Sequence, residues 1–296
     1  MSMSSTARPS LYAKARLGTP AGGLRMPGLQ ARARLQQAPG LLSMATVTVP
    51  ELLLLATAGV VAGAASAMAG GASLLTFPVL LALGLPPLAA NVTNTTGLIP
   101  TAIGAALASR EELEGQRDLM LFLCPPMIAG SLAGGGILLL TPPGWFEAIV
   151  PFLIAGSALL LLVQPWIIAR AGRRLRDGNR RGAWIAAGCV AVYAGYFGAA
   201  AAVLFMALVG LFTTVSIHRL NALKNVLLGA SNAFAAALFA IVAPVHWAAA
   251  CALALGSLAG GAGGVRLVRR VPPRPLRIGV AVLGLSIAAW LLATGT

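Results

Sequence analysis

Two short polar clusters stand out in an otherwise apolar chain: Asn91, Thr93, Asn94, Thr95 and Thr96, and then Asn221, Lys224 and Asn225. On a helix, Asn91 and Thr95, with Asn94 less closely, share one face, as do Asn221, Lys224 and Asn225. Amides and hydroxyls placed in hydrocarbon must find partners, so such clusters mark helix contacts or a cavity. Lys224 is the sole lysine after residue 14. It falls about 9 Å along its helix from a start near His218, at about 1.5 Å per residue. Two readings stand at that depth: a lysine snorkelling to the headgroups, or a fixed charge inside the membrane. In the second, the ammonium beside Asn and Thr donors attracts an anion. Helix N-termini would add amide donors and partial positive charge. His218 and Arg219 read as interfacial anchors or loop contacts.

A second signal is backbone chemistry. Gly70 and Gly71 precede a short apolar segment bounded by Pro86 and Pro87, and Gly195 and Gly198 precede four alanines, Ala199 to Ala202. Glycine lets the chain leave helix geometry and approach a ligand, and proline removes an amide donor. Broken helices at corresponding places in two halves point to a transport site. For Gly70 and Gly71 the site reading is preferred to simple close packing. The candidate substrate-binding set is therefore Gly70, Gly71, Asn91, Thr93, Asn94, Thr95, Asn221, Lys224 and Asn225.

The elements that must hold these residues are membrane helices. Of 296 residues, 58% are hydrophobic and 9% charged, with a mean hydropathy of +0.87. Soluble domains carry about a quarter charged residues, so too few remain here to cover a water-facing surface. Apolar segments fall at 50–69, 72–85, 88–109, 119–140, 146–168, 183–200, 202–215, 218–242, 246–265 and 277–294. Eight are near the roughly 20 residues that span a bilayer. Those at 72–85 and 202–215 are short and read as broken or re-entrant. The runs are apolar on every side, which excludes the alternation of a membrane barrel. The expected class is an all-α integral membrane protein.

The chain divides in two at Ala169–Gly182, which holds six arginines against Asp177 and belongs on the cytoplasmic side. The halves, 44–168 and 183–296, match. Gly130-Ser131-Leu132-Ala133-Gly134-Gly135 recurs as Gly256-Ser257-Leu258-Ala259-Gly260-Gly261, Pro142-Pro143 as Pro272-Pro273, and Asn91 falls opposite Asn221. For the repeated Gly-rich hexamer close helix packing is the preferred role. Thr141–Trp145 has no basic residue, whereas its counterpart Arg266–Arg277 carries five arginines. Corresponding loops thus face opposite sides, as in two inverted-topology repeats. Residues 1–43, basic and acid-free, read as a disordered leader or as the product of a start before the true one at Met44.

The excess of 21 Lys+Arg over 7 Asp+Glu lies in short connectors and fits the positive-inside rule, so no nucleic-acid partner is expected. All seven acids lie in connectors or near segment ends. Cys124, Cys189 and Cys251 read as small core hydrophobes. No constellation for acid–base or metal chemistry is present, so neither an enzyme nor a cofactor is expected.

The stretches Gly70–Pro78, Gly84-Leu85-Pro86-Pro87 and Ala90–Asn94 resemble the first repeat of the sulfite exporter TauE/SafE family, and Ser216–Asn225 its second. Gly256–Gly261 with Arg269–Pro273 continues the likeness. The resemblance spans about residues 48–294 and implies a multi-pass protein of the bacterial inner membrane that moves sulfite or a related sulfur-containing anion. One departure is Ala199–Ala202, where relatives often carry glycines. The competing reading is an accessory membrane subunit that packs against a partner. The sequence leaves a homo-oligomer open.

Overall fold

In hydrocarbon a backbone must satisfy its own amides, so the apolar runs form helices. The computed structural model describes residues 48–68, 70–174, 178–268 and 273–294. The proposed leader 1–43 lies outside these. Among the described residues there are twelve helices and no strand. They are α1 (Val49–Met68), α2 (Ala72–Ala82), α3 (Pro87–Gly97), α4 (Ile99–Ala108), α5 (Arg110–Leu113), α6 (Arg117–Leu140), α7 (Pro143–Arg174), α8 (Arg180–Tyr196), α9 (Ala201–Leu208), α10 (Ile217–Val242), α11 (Trp247–Val268) and α12 (Pro273–Thr294).

Five of these, α1, α6, α7, α10 and α12, are long and apolar enough to cross a membrane. The short segments read at 72–85 and 202–215 are helices of 11 and 8 residues. The segment read as one helix over 88–109 is two, α3 and α4, meeting at Leu98. Pro100 offers no amide to its own turn, and Thr101 N–H turns to the Leu98 carbonyl at 3.1 Å. The Gly97 carbonyl thus loses its helical donor, and Ser257 Oγ donates to it instead at 3.1 Å. The connector 169–182 is helical up to Arg174 and again from Arg180.

The repeated hexamer sets the closest packing. A methyl added to Gly256 or Gly260 would overlap the Ala56 or Val60 carbonyl of α1. One added to Gly130 or Gly134 would overlap the Gly188 or Val192 carbonyl of α8. Both contacts advance together in residue number, so α11 runs parallel to α1, and α6 parallel to α8. The two serines of the hexamers each bond a backbone carbonyl of another helix: Ser257 that of Gly97, and Ser131 that of Ser231 at 2.7 Å. Close approach of small residues is how membrane helices associate where no hydrophobic drive exists between them. All five tryptophans are more than 40% exposed, as side chains of an interfacial belt would be.

Candidate functional site

The turns α1–α2 and α8–α9 meet near the middle of the long helices. Gly70 has φ +67 and lies so close to Ala202 that any side chain on it would overlap that methyl. Across the contact, Ala200 is the sole non-glycine residue with positive φ among the described residues, at +58. Left-handed geometry disfavours a Cβ, and Ala200 is held there by its surroundings.

A cavity of about 90 Å³ opens at this junction. One water needs on the order of 10–15 Å³ by this measure, so the space fits several waters or one small polyatomic ion. Gly70, Gly71, Lys224 and Asn225 of the sequence-predicted set line it together. The N-terminal ends of α2 and α9 both reach its wall, through Ala72 and Ser73 and through Ala201 and Ala202. Neither helix has a side-chain cap, since Gly71 and Ala200 hold the capping positions. Leu74 N–H bonds the Gly71 carbonyl, and Ala201 and Val203 N–H bond those of Gly198 and Ala200, which leaves the amides of Ala72, Ser73 and Ala202 for a ligand, with the positive ends of two helix dipoles behind them.

Lys224 is 3% exposed and has no ion pair or hydrogen bond among the described residues. The snorkelling alternative does not describe it. Among the described residues no carboxylate is buried, so the cavity carries one uncompensated ammonium. A buried charge without a partner is costly.

Sequence reasoning missed four polar residues of the lining: Ser66, Ser73, Thr101 and Asn232. Thr101 Oγ1 and Asn232 Oδ1 are buried without a hydrogen-bond partner. They come together because α4 crosses α10 where Ala102 fills the space left by Gly229. Neither stands in a cluster along the chain; the one sequence signal was the spacing of Asn232 seven residues, or two helical turns, after Asn225.

The remaining predicted residues do not line the cavity. Asn91 donates its side-chain amide to the Tyr196 carbonyl at 2.9 Å, Thr93 Oγ1 accepts from His246 N–H at 2.9 Å, and Asn94 Oδ1 accepts from the Thr76 hydroxyl. Thr95 bonds the Asn91 carbonyl of its own helix at 3.0 Å. Asn221 is half-buried, one turn before Lys224. Tyr193 Oη and Ser157 Oγ both donate to the Ala199 carbonyl, at 2.7 and 3.1 Å. The polar segment of α3 thus braces the turn that shapes the cavity.

The family model described as sulfite exporter TauE/SafE matches residues 55–291. The chain belongs to this family. Among TauE/SafE relatives, the probable membrane transporter protein YfcA of Escherichia coli K12 is 29% identical over 236 residues, covering 78% of this chain and 86% of its own. A probable membrane transporter protein of Haemophilus influenzae is 26% identical over 240 residues, covering 80% of this chain and 93% of its own. No solved structure matches. The TauE/SafE match takes in both broken turns, both polar clusters and both Gly-rich hexamers, so this chain is a multi-pass membrane protein of a transporter family.

Proposed function

We propose that this chain exports a small oxoanion, such as sulfite or an organosulfonate, across the bacterial inner membrane. The anion would bind in the cavity between Gly70–Gly71, Ala200–Ala202, Lys224 and Asn225. The carrying observation is that buried Lys224, without a counter-ion among the described residues, lines a cavity where two uncapped helix N-termini meet. An anion there neutralises the ammonium and accepts from the amides of Ala72, Ser73 and Ala202. The family description supports the solute class.

The packing supports reading units 44–168 and 183–296 as inverted repeats joined by a cytoplasmic connector. The starts of α6 and α8 and the residues just before α10 line one cavity, at one end of the molecule. From that end α10 runs away, and α11 returns after a short connection. Because α1 is parallel to α11, it runs opposite to α8, its counterpart. Each unit then begins with a hairpin that folds back at mid-depth, α1–α2 or α8–α9. Two hairpin tips meeting at one cavity suit alternating access.

The test is flux of labelled sulfite and of an alkylsulfonate through proteoliposomes holding the purified chain alone. Saturable anion-dependent flux, lost in Lys224→Met while the variant keeps its helical content, supports the reading. No flux from the lone chain would favour an accessory subunit, and unchanged flux in the variant would remove Lys224 from the site.

A further inference from the structure

A second cavity, of about 270 Å³, opens where the first turns of α6 and α8 face the α9–α10 connection. Gln116, Asp118, Arg180, Phe212, Thr213 and Thr214 line it. Gln116 immediately precedes α6 and is 7% exposed, yet its side-chain amide has no partner among the described residues. The residue is buried while its amide atoms open onto the cavity, so polar ligand atoms can bond them there. Helix α6 has no side-chain cap, and Asp118 and Leu119 of its first turn line the cavity. Arg180 lies with its guanidinium 4.6 Å from the centre of the Phe122 ring, which leaves the edge of the guanidinium for an oxyanion.

Asp118 brings the opposite charge to the same cavity. Neither Asp118 nor Arg180 has an ion pair among the described residues, so the two line one space without neutralising each other. A simple anion would meet the Asp118 carboxylate, and a simple cation would meet Arg180 and the helix end. A zwitterion satisfies both. The cavity also sits at the end of α6, a helix long enough to cross the membrane, which is the depth of lipid headgroups.

We propose that this cavity holds the headgroup of phosphatidylethanolamine, with the phosphodiester on Arg180, Gln116 and the α6 N-terminus and the ammonium on Asp118. Bound there, the lipid clamps the α9–α10 connection to α6 and α8. The site is independent of the central cavity and needs neither Lys224 nor the transported solute.

The full chain is purified into nanodiscs of phosphatidylethanolamine or phosphatidylglycerol, and lipid retained after transfer to detergent is measured by native mass spectrometry. Soluble phosphoethanolamine and inorganic phosphate are tested in parallel by thermal shift. Selective retention of phosphatidylethanolamine is expected, falling about fivefold in Arg180→Gln and in the near-isosteric Asp118→Asn. Equal stabilisation by soluble phosphoethanolamine would keep the site and move its ligand to the aqueous phase. Equal retention of both lipids, unaffected by either variant, would overturn the proposal, as would stabilisation by inorganic phosphate alone.

Discussion

Asn91 holds the end of α8 in place: its side-chain amide donates to the Tyr196 carbonyl at 2.9 Å, across 105 residues of chain. Tyr196 is the last residue of α8, and its carbonyl is one that a helix terminus leaves without an internal donor. The polar segment of the first unit therefore completes the broken helix of the second. Asn91→Ala leaves that carbonyl unpaired in a part-buried setting, at about 1 kcal/mol. The variant is expected to unfold at lower temperature and to carry less anion flux, read by thermal unfolding in detergent and by proteoliposome transport. Unchanged values in both would show that the bond holds nothing.

Ala200 is the position where relief of strain is expected. With φ +58, its Cβ crowds the backbone, and glycine removes that crowding while gaining unfolded-state freedom. Ala200→Gly is expected to raise stability by about 1 kcal/mol, measured as a higher midpoint of thermal unfolding. The same change widens the cavity wall, so the substrate range of the variant should shift towards larger anions. A lower midpoint would mean that the alanine methyl contributes packing that outweighs its strain.

Much of this arrangement was legible in the residues. Gly70–Gly71 and Gly195 with Gly198 mark the two turns because glycine lets the chain leave helix geometry, and Lys224 stands out as the sole lysine after residue 14. The break between α3 and α4 was not read, although Pro100 announced it, because the apolar run continued unchanged across it. Thr101 carries no sequence signal until α4 and α10 cross, and Asn232 carries only its two-turn spacing from Asn225. Asn91, Thr93 and Asn94 were read as ligand contacts. Short polar side chains in hydrocarbon serve equally well to satisfy another segment's backbone, and here Asn91 and Thr93 meet backbone groups while Asn94 meets a side chain.

The Gly-rich hexamers are expected to tolerate nothing larger than hydrogen at their packed positions. Gly134→Val and Gly260→Val each push a side chain into a neighbouring carbonyl, of Val192 and Val60 respectively. Each should destabilise by several kcal/mol, on the order of 2–4, seen as loss of monodisperse protein on size exclusion. Gly136→Ala and Gly263→Ala add a methyl where nothing lies within 4 Å, so both should behave as the parent chain. Equal damage at all four positions would show that these close carbonyl contacts are not what excludes larger side chains, since Gly→Ala favours the helix.

Inversion of the two units makes a prediction about sides that any parallel arrangement fails. Ala82 ends α2 and is exposed; Thr214 follows α9 and is exposed. If the hairpins α1–α2 and α8–α9 enter from opposite faces, these residues lie on opposite sides of the membrane. With Cys124, Cys189 and Cys251 replaced by alanine, Ala82→Cys should react with a membrane-impermeant maleimide added to intact cells. Thr214→Cys should react only after the membrane is opened, because it adjoins the arginine-rich end that the positive-inside rule places in the cytoplasm. Labelling of both from one side would refute the inversion and, with it, a central cavity reached alternately from two faces.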